Sequence, residues 1–241
     1  MLDLGIKGRR ALVCTSSRGL GKACARALAR AGVEVTINGL DQAVVTLQEN
    51  NHIAVVDLAS GDVISHFSAG TVDLEGVDLT EEELGPQGNG IIDFSESRSG
   101  VRREPDAVKW IDDDSFATAN EGDYEDADGE EGGSRGFTIF NVDGTVEYDS
   151  GTEFEYRLAS AGHYPEGRSG NKGAEPEGLA VGTVGEVPYL FVASERGNLV
   201  AAYDVSAEEP RLAALLPTGH RRTDHFLQKA AEAMGKRKPT A

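Results

Sequence analysis

A turn of small residues near the start of the chain has the composition of a phosphate-binding loop. An apolar strand-like run, residues 10–14, precedes the turn, and a helical pattern over residues 22–31 follows it. Gly19 and Gly21 let the backbone approach a phosphate, and the start of the helix would present free N–H groups to it. A second apolar run at 33–38 completes a β-α-β unit, so we predict a dinucleotide as the ligand. The candidate cofactor-binding residues of this loop are Ser16, Ser17, Arg18, Gly19, Leu20 and Gly21.

An acidic stretch in the middle of the chain offers the hard oxygen ligands that calcium prefers. Residues 121–131 contain seven carboxylates, and calcium takes roughly six to eight oxygen ligands. The alternating spacing of an EF-hand loop is absent, so a solvated, flexible acidic loop is the alternative interpretation. The candidate metal ligands are Glu121, Asp123, Asp126 and Asp128.

Histidine is sparse between residues 42 and 214, and cysteine does not occur there. The three histidines of this segment are His52, His66 and His163. A zinc cluster is therefore not expected, because structural zinc sites take four closely spaced Cys or His ligands. His163 lies in a loop rich in Gly and Pro, where we predict a surface residue rather than an acid–base catalyst.

A repeated pattern indicates which elements position these groups. Glu49, Glu121 and Glu195 each lie in a polar turn between two apolar runs, and the two steps between them are almost equal in length. The Glu-Pro pairs beginning at Glu104 and Glu175 are separated by nearly the same step. Short strands at a fixed period are typical of solenoids and propellers, so we predict antiparallel, blade-like units without a helix of substantial length. The three turn glutamates either gather at a central channel or each cap the turn of their own repeat.

Charge divides the chain into three parts. Residues 1–41 hold 7 basic and 3 acidic residues, residues 42–216 hold 10 and 36, and residues 217–241 hold 6 and 2. The acidic middle argues against nucleic acid as a partner and favours a cation or a basic partner. No apolar run approaches the roughly 20 residues that span a bilayer, and no signal peptide is visible, so we expect a cytoplasmic protein without a membrane partner. The sign changes indicate segments of different origin or, alternatively, one acidic sheet domain with basic helical margins.

The phosphate loop resembles that of the short-chain dehydrogenase/reductase family, in its oxoacyl-reductase-like branch. The resemblance implies a Rossmann fold and NADP as cofactor, with Arg18 near the 2′-phosphate. The turn and helical pattern from Leu215 to Met234 resemble the same family's segment near the nicotinamide, which makes Thr223 a further cofactor-binding candidate. The family's catalytic Tyr-x-x-x-Lys pair occurs nowhere, because none of the six tyrosines has a lysine four residues later. Hydride transfer then lacks its acid, and we predict no reductase activity.

The middle of the chain resembles the bacterial choice-of-anchor I family. The resemblance is carried by residues 45–51, by residues 118–123 and by the two Glu-Pro segments at 104–107 and 175–179. It implies a β-propeller of the kind found in large secreted or surface-attached proteins, although a whole propeller of that family is much longer.

Together these observations predict a mixed fold. A Rossmann-like β-α-β fragment at 1–41 and a reductase-like C-terminal fragment with a helix at 215–241 would flank an all-β, propeller-like segment at 42–214. The predicted function is a non-enzymatic binding or scaffold segment, with calcium as a candidate ligand. The alternative is a catalytically inactive NAD(P)-binding relative of the short-chain reductases.

Overall fold

The computed structural model describes residues 42–81, 90–122 and 132–218. The predicted phosphate loop and Thr223 lie outside these residues, as do Asp123, Asp126 and Asp128. The Rossmann-like fragment and the reductase-like C-terminal helix therefore stay predictions.

The described residues form thirteen strands in four antiparallel sheets. The first sheet contains β1 (Gln42–Leu47), β2 (His52–Asp57) and β3 (Val63–Ser68), and the second is a hairpin of β4 (Thr71–Val77) and β5 (Glu96–Arg102). The third sheet contains β6 (Val108–Trp110), β7 (Ser115–Ala119), β8 (Phe137–Asn141) and β9 (Val146–Asp149). The fourth contains β10 (Pro176–Val184), β11 (Val187–Ser194), β12 (Leu199–Asp204) and β13 (Arg211–Pro217). The all-β character predicted for the middle of the chain is confirmed, apart from one helix described below.

The third and fourth sheets are two copies of one arrangement. In each, four strands consecutive in sequence pair in consecutive order, and a Glu-Pro pair precedes or begins the first strand. The register also corresponds, because Val108 pairs with Thr118 as Leu179 pairs with Val192. The positions of the turn glutamates make β1, β2 and β3 the counterparts of the second, third and fourth strands. Contacts between sheets repeat as well, since β6 packs against β1 and β10 packs against both β6 and β7.

Apolar side chains fill the spaces between these sheets. Successive side chains of a strand point to opposite faces, and in β7 and β8 both faces are buried because the third sheet has a core on each side. Between the first and third sheets lie Ile53, Val55, Phe116 and Phe140, all at most 1% exposed. A larger core joins the third and fourth sheets and includes Phe137, Val192 and Tyr203.

One helix, α1 (Glu153–Ser160), follows the third sheet, and the prediction of no substantial helix in this segment was wrong. Two glutamates in its first turn complement the helix dipole. Phe154 and Leu158, four residues apart on one face, are completely buried in the core between the third and fourth sheets. The helix also holds the β4–β5 hairpin, because the Tyr156 hydroxyl donates a 2.8 Å hydrogen bond to the carbonyl oxygen of Gly76.

The fourth sheet extends through the position predicted as the C-terminal boundary. β13 pairs with β12 as far as Pro217, which lies opposite Leu199. The predicted boundary between residues 214 and 215 thus falls within β13.

Candidate functional site at the loop edge

Polar residues concentrate where β1, β7 and β11 end and where β6 and β10 begin. We call this region the loop edge, and it consists of residues 48–51, 103–107, 120–122, 132–136, 168–175 and 195–198. Backbone hydrogen bonds join its segments: Gly122 N–H donates to the Glu104 carbonyl oxygen at 3.3 Å, and Glu195 N–H donates to that of Glu175 at 3.1 Å, with the donors one residue apart in the repeat. Asn51 connects the first and third sheets, because its Oδ1 accepts a hydrogen bond from Glu104 N–H at 2.9 Å.

The Glu-Pro glutamates are buried at this edge in the same unusual conformation. Glu104 and Glu175 both have φ of 45°, in the left-handed region that disfavours residues other than glycine, and they are 0% and 1% exposed. Glu175 accepts hydrogen bonds from Arg168 Nε and from Arg196 Nε, the latter at 3.1 Å. Glu104 lies 3.3 Å from Arg102 Nε. Buried carboxylates require such partners, so each glutamate stabilises the start of its sheet.

A second buried ion pair joins the third sheet to the segment that leads into the fourth. Arg135, 1% exposed, lies 3.7 Å from the carboxylate of the completely buried Glu155 in α1. Its guanidinium also donates to three carbonyl oxygens, those of Asp78 at 2.8 Å, Ser169 at 2.8 Å and Asn171 at 3.1 Å. Five donors in a planar group suit Arg for binding several acceptors at once.

Burial changes the protonation of this carboxyl. Loss of solvent raises the pKa of Glu155 from 4.5 to about 7, although Arg135 and the N–H of Ala174 act in the opposite direction. Gly173 makes the approach possible, because an added Cβ would lie 2.0 Å from a Glu155 carboxylate oxygen. The left-handed φ of 56° at Gly173 also suits glycine.

A ladder of buried polar side chains crosses the third sheet from the loop edge. Thr118 Oγ1 donates to Asn120 Oδ1, and Thr138 Oγ1 donates to Asp149 Oδ2, both at 2.8 Å. Asn120 Nδ2 connects the two halves by donating to Thr138 Oγ1 at 2.8 Å. Arg103 ends the ladder, with Nε 2.8 Å from Asp149 Oδ2 and Nη1 donating to the Ala69 carbonyl oxygen at 2.8 Å. The ladder therefore ties the third sheet to the chain that follows β3.

The three turn glutamates occupy corresponding turns but differ in surroundings. Glu49 is exposed in the 3-10 turn Gln48–Asn50, Glu121 follows β7, and Glu195 follows β11. Glu121 lies 3.4 Å from Lys172 Nζ, and burial raises its pKa despite that neighbour. Glu195 is 3.4 Å from Arg196 Nε. Each glutamate thus belongs to the turn of its own sheet, with a basic neighbour beside Glu121 and Glu195.

Glu121 is the one predicted metal ligand that the structure describes. Within residues 42–81, 90–122 and 132–218, no group of three or more His, Cys, Asp or Glu side chains is arranged to hold a metal ion. The calcium prediction stays a prediction, because its three aspartates lie outside these ranges. His163, predicted as a surface residue, is half-buried, and its Nδ1 donates to the Gly197 carbonyl oxygen at 2.7 Å.

Sequence reasoning missed the buried ion pairs. The Glu-Pro pairs were used as markers of the period, and their recurrence at corresponding strand starts was the available signal for a structural role. No local signal distinguishes Arg135 or Glu155, because their partners come from segments that are distant in the chain.

The pattern of the Choice-of-anchor I domain matches residues 34–132 and 130–208. Together these two matches cover most of the chain and include β1 to β12. The chain belongs to the choice-of-anchor I domain family. This assignment confirms the resemblance predicted for the middle of the chain, and the match begins shortly before β1. The segments predicted to be reductase-like extend mostly outside the matched residues.

Other comparisons add little to the family assignment. No curated protein matches the chain. Across the part of the chain that the structure describes, no helix has the length and apolar composition needed to cross a membrane.

Proposed function

We propose that this choice-of-anchor I domain is a non-enzymatic binding or scaffold domain built from consecutive blades of a propeller. The repeated four-strand order supports this interpretation, as do the corresponding contacts of β6 with β1 and of β10 with β7. Loops at one edge of such blades are common places for binding sites, because a rigid sheet frame positions them. Membership of the family supports a location at a cell surface or outside the cell.

The observation that supports a cationic ligand is the excess of acidic over basic residues in this segment. Residues 42–216 hold 36 acidic and 10 basic residues, and at least eight of those ten basic side chains already form ion pairs with carboxylates of the chain. The eight are Arg102, Arg103, Arg135, Arg157, Arg168, Lys172, Arg196 and Arg211. Because several of them are committed to buried carboxylates, the exposed carboxylates keep a strong negative field.

Calcium is the ligand that we propose for the acidic insert between β7 and β8. Glu121, Asp123, Asp126 and Asp128 supply oxygen ligands, and extracellular calcium modules typically bind with dissociation constants of about 0.1–1 mM. Calcium at 10 mM should then raise the melting temperature by about 5 °C. Equimolar magnesium should have a smaller effect, because magnesium loses its water shell reluctantly.

The test is a thermal unfolding series of the full chain with calcium, magnesium or NADPH. A variant with Asp123→Asn, Asp126→Asn and Asp128→Asn should lose the calcium response. Asp112→Asn, Asp113→Asn and Asp114→Asn remove the same charge from another acidic turn and provide the matched control, although Asp112 also caps its turn. Stabilisation by NADPH without a calcium response would contradict the proposal and favour the nucleotide-binding alternative.

A basic partner is the second form of the same proposal. A lysine-rich peptide should bind the full chain with an affinity that falls steeply between 50 and 500 mM salt, since exposed charges are screened. A glutamate-rich peptide of equal length is the control. Equal binding of both peptides would show that the acidic field does not select the partner.

A further inference from the structure

Two histidines on the first sheet are close enough to share one ligand. His52 in β2 and His66 in β3 have their Nε2 and Nδ1 atoms 3.2 Å apart, and their ring centroids are separated by 5.5 Å. We propose that His52 and His66 form a surface site for a divalent transition metal ion of the zinc type. This proposal is independent of the calcium ion proposed above, whose candidate ligands belong to the acidic insert between β7 and β8.

The strand register explains how the two rings meet. His66 pairs with Ala54, and His52 is two residues before Ala54 on the same face of β2. The two histidines are therefore a diagonal cross-strand pair, a spacing that long side chains can bridge. The residues beside them, Ile53 and Phe67, pair on the opposite face and belong to the core with the third sheet. The backbone beneath the rings is thus held in place while the rings lie on the outer face.

The separation of the nitrogens fits a metal ion. With zinc–nitrogen distances of about 2.0–2.1 Å, two ligands of a tetrahedral zinc lie about 3.3 Å apart. The two rings now share a hydrogen bond, so one of these nitrogens carries a proton. On binding, that ring takes its other tautomer and the ion replaces the shared proton, without net change in charge of either imidazole.

The donor set selects the class of ion. Imidazole nitrogen suits zinc, copper and nickel, whereas calcium and magnesium prefer oxygen ligands. His66 is exposed and His52 half-buried, so water or a group from a bound molecule can occupy the remaining coordination positions. The acidic excess of the surrounding segment raises the local concentration of divalent cations. The bound ion would link the edge strand β3 to β2 through the diagonal pair His52 and His66.

The experiment is a zinc titration of the untagged full chain, pretreated with EDTA and followed by isothermal titration calorimetry. We expect one site that weakens about tenfold or more in each of H52Q and H66Q. Calcium at equal concentration should leave the site empty. In the unsubstituted protein, zinc should shift the ring-proton NMR resonances of two histidines together.

The control is a variant with H220Q and H225Q, which removes the other close pair of histidines in the sequence and should bind zinc like the parent protein. Circular dichroism in EDTA establishes that each variant is folded. Three results would each overturn the proposal: no zinc binding, unchanged binding in H52Q or in H66Q, or loss of binding in the control variant. Should H52Q and H66Q fail to fold, the NMR result decides, and unshifted histidine resonances would count against the site.

Discussion

The two interfaces of the third sheet both contain an apolar core, but they differ in chemistry at one pair of corresponding positions. Toward the first sheet, Thr118 and Thr138 lie opposite each other and belong to the polar ladder. At the corresponding positions of the fourth sheet, Val192 lies opposite Ala201, inside an apolar core shared with the third sheet. The same strand register therefore accepts either chemistry. Apolar contacts contribute stability through the area they bury. In a polar ladder every buried polar group needs a hydrogen-bond partner, which restricts how two sheets can pack.

The strand that follows in each sheet explains why one pair of positions is polar and the other apolar. Asp149 follows Thr138 in the third sheet and is paired with Arg103, whereas Leu215 stands at the corresponding position of the fourth sheet. The carboxylate of Asp149, on the outer strand β9 and only 16% exposed, is tolerated because the arginine neutralises it. The apolar interface has a more deeply buried ion pair beside it, Arg135 with Glu155 of α1.

Removing Arg135 should have the largest effect. R135M leaves Glu155 without its charge partner and three carbonyl oxygens without their donor, so we expect a loss of about 3–5 kcal/mol in the free energy of unfolding. Urea unfolding monitored by circular dichroism measures it. R157M is the matched control, because Arg157 forms an exposed i,i+4 pair with Glu153 and should contribute about 0.5 kcal/mol at most.

A second variant separates the ion pair from the packing around it. R135M/E155L removes both charges and should recover part of the loss, since apolar replacements of a buried pair are often tolerated. If the double variant is as unstable as R135M, the carbonyl contacts of Arg135 matter more than its charge partner.

Exchanging polar and apolar side chains at the corresponding positions of the third and fourth sheets should have the next largest effect. T138A leaves Asn120 and Asp149 each without one hydrogen bond, and we expect a cost of about 2 kcal/mol. The reverse change, V192T, places a hydroxyl in an apolar core and should cost about 1–3 kcal/mol. Urea midpoints measure both. A cost below about 0.5 kcal/mol for T138A would show that the ladder is not needed to hold the interface.

The buried and exposed glutamates of the fourth sheet provide a smaller contrast. E175Q keeps the shape of a completely buried side chain but weakens its bonds to Arg168 and Arg196, and should cost about 2 kcal/mol. E195Q changes a carboxylate that is 39% exposed and should cost well below about 1 kcal/mol. Thermal unfolding of the two variants measures the difference, and equal costs would contradict a special role for the Glu-Pro position.

The smallest expected effect is a change in how the free energy of unfolding depends on pH. The folded pKa of Glu155, about 7, lies above its ordinary value of 4.5, so the folded state holds the proton more tightly. The contribution of this carboxyl to stability is therefore complete below about pH 4.5 and is lost as the pH rises toward 7. E155Q should lack this decline, which unfolding curves between pH 4.5 and 8 would reveal. Parallel pH profiles of the variant and the parent protein would show that Glu155 is ionised in both states.

The sequence predicted the sheets of this protein better than its buried charges. The apolar runs on either side of Glu49, Glu121 and Glu195 are local signals, and they lie in the pairs β1 and β2, β7 and β8, and β11 and β12. Helix α1 was not predicted, because eight residues with two buried apolar side chains, Phe154 and Leu158, form too short a helical pattern. The buried Glu175 is paired with Arg196, which follows β10 and β11 in the chain. No local sequence pattern predicts a partner at that distance.

The candidate sites divide in the same way. The acidic insert was recognised from composition, and the structure adds that Glu121 at its start lies beside Lys172. The proximity of His52 and His66 was not predicted, because a hairpin separates them in the chain and only the register of β2 with β3 brings them together.

The left-handed conformation of Glu104 and Glu175 has a consequence for how this sequence can drift. A single base change converts a glutamate codon into a glycine codon, and glycine adopts this backbone conformation without steric strain. The backbone conformation alone would thus favour glycine at both positions, and glycine is one base change away. Both copies of the repeat hold glutamate, whose carboxylate binds arginine side chains as glycine could not. The repeat keeps a strained residue twice because its side chain binds the arginines that order the neighbouring turns.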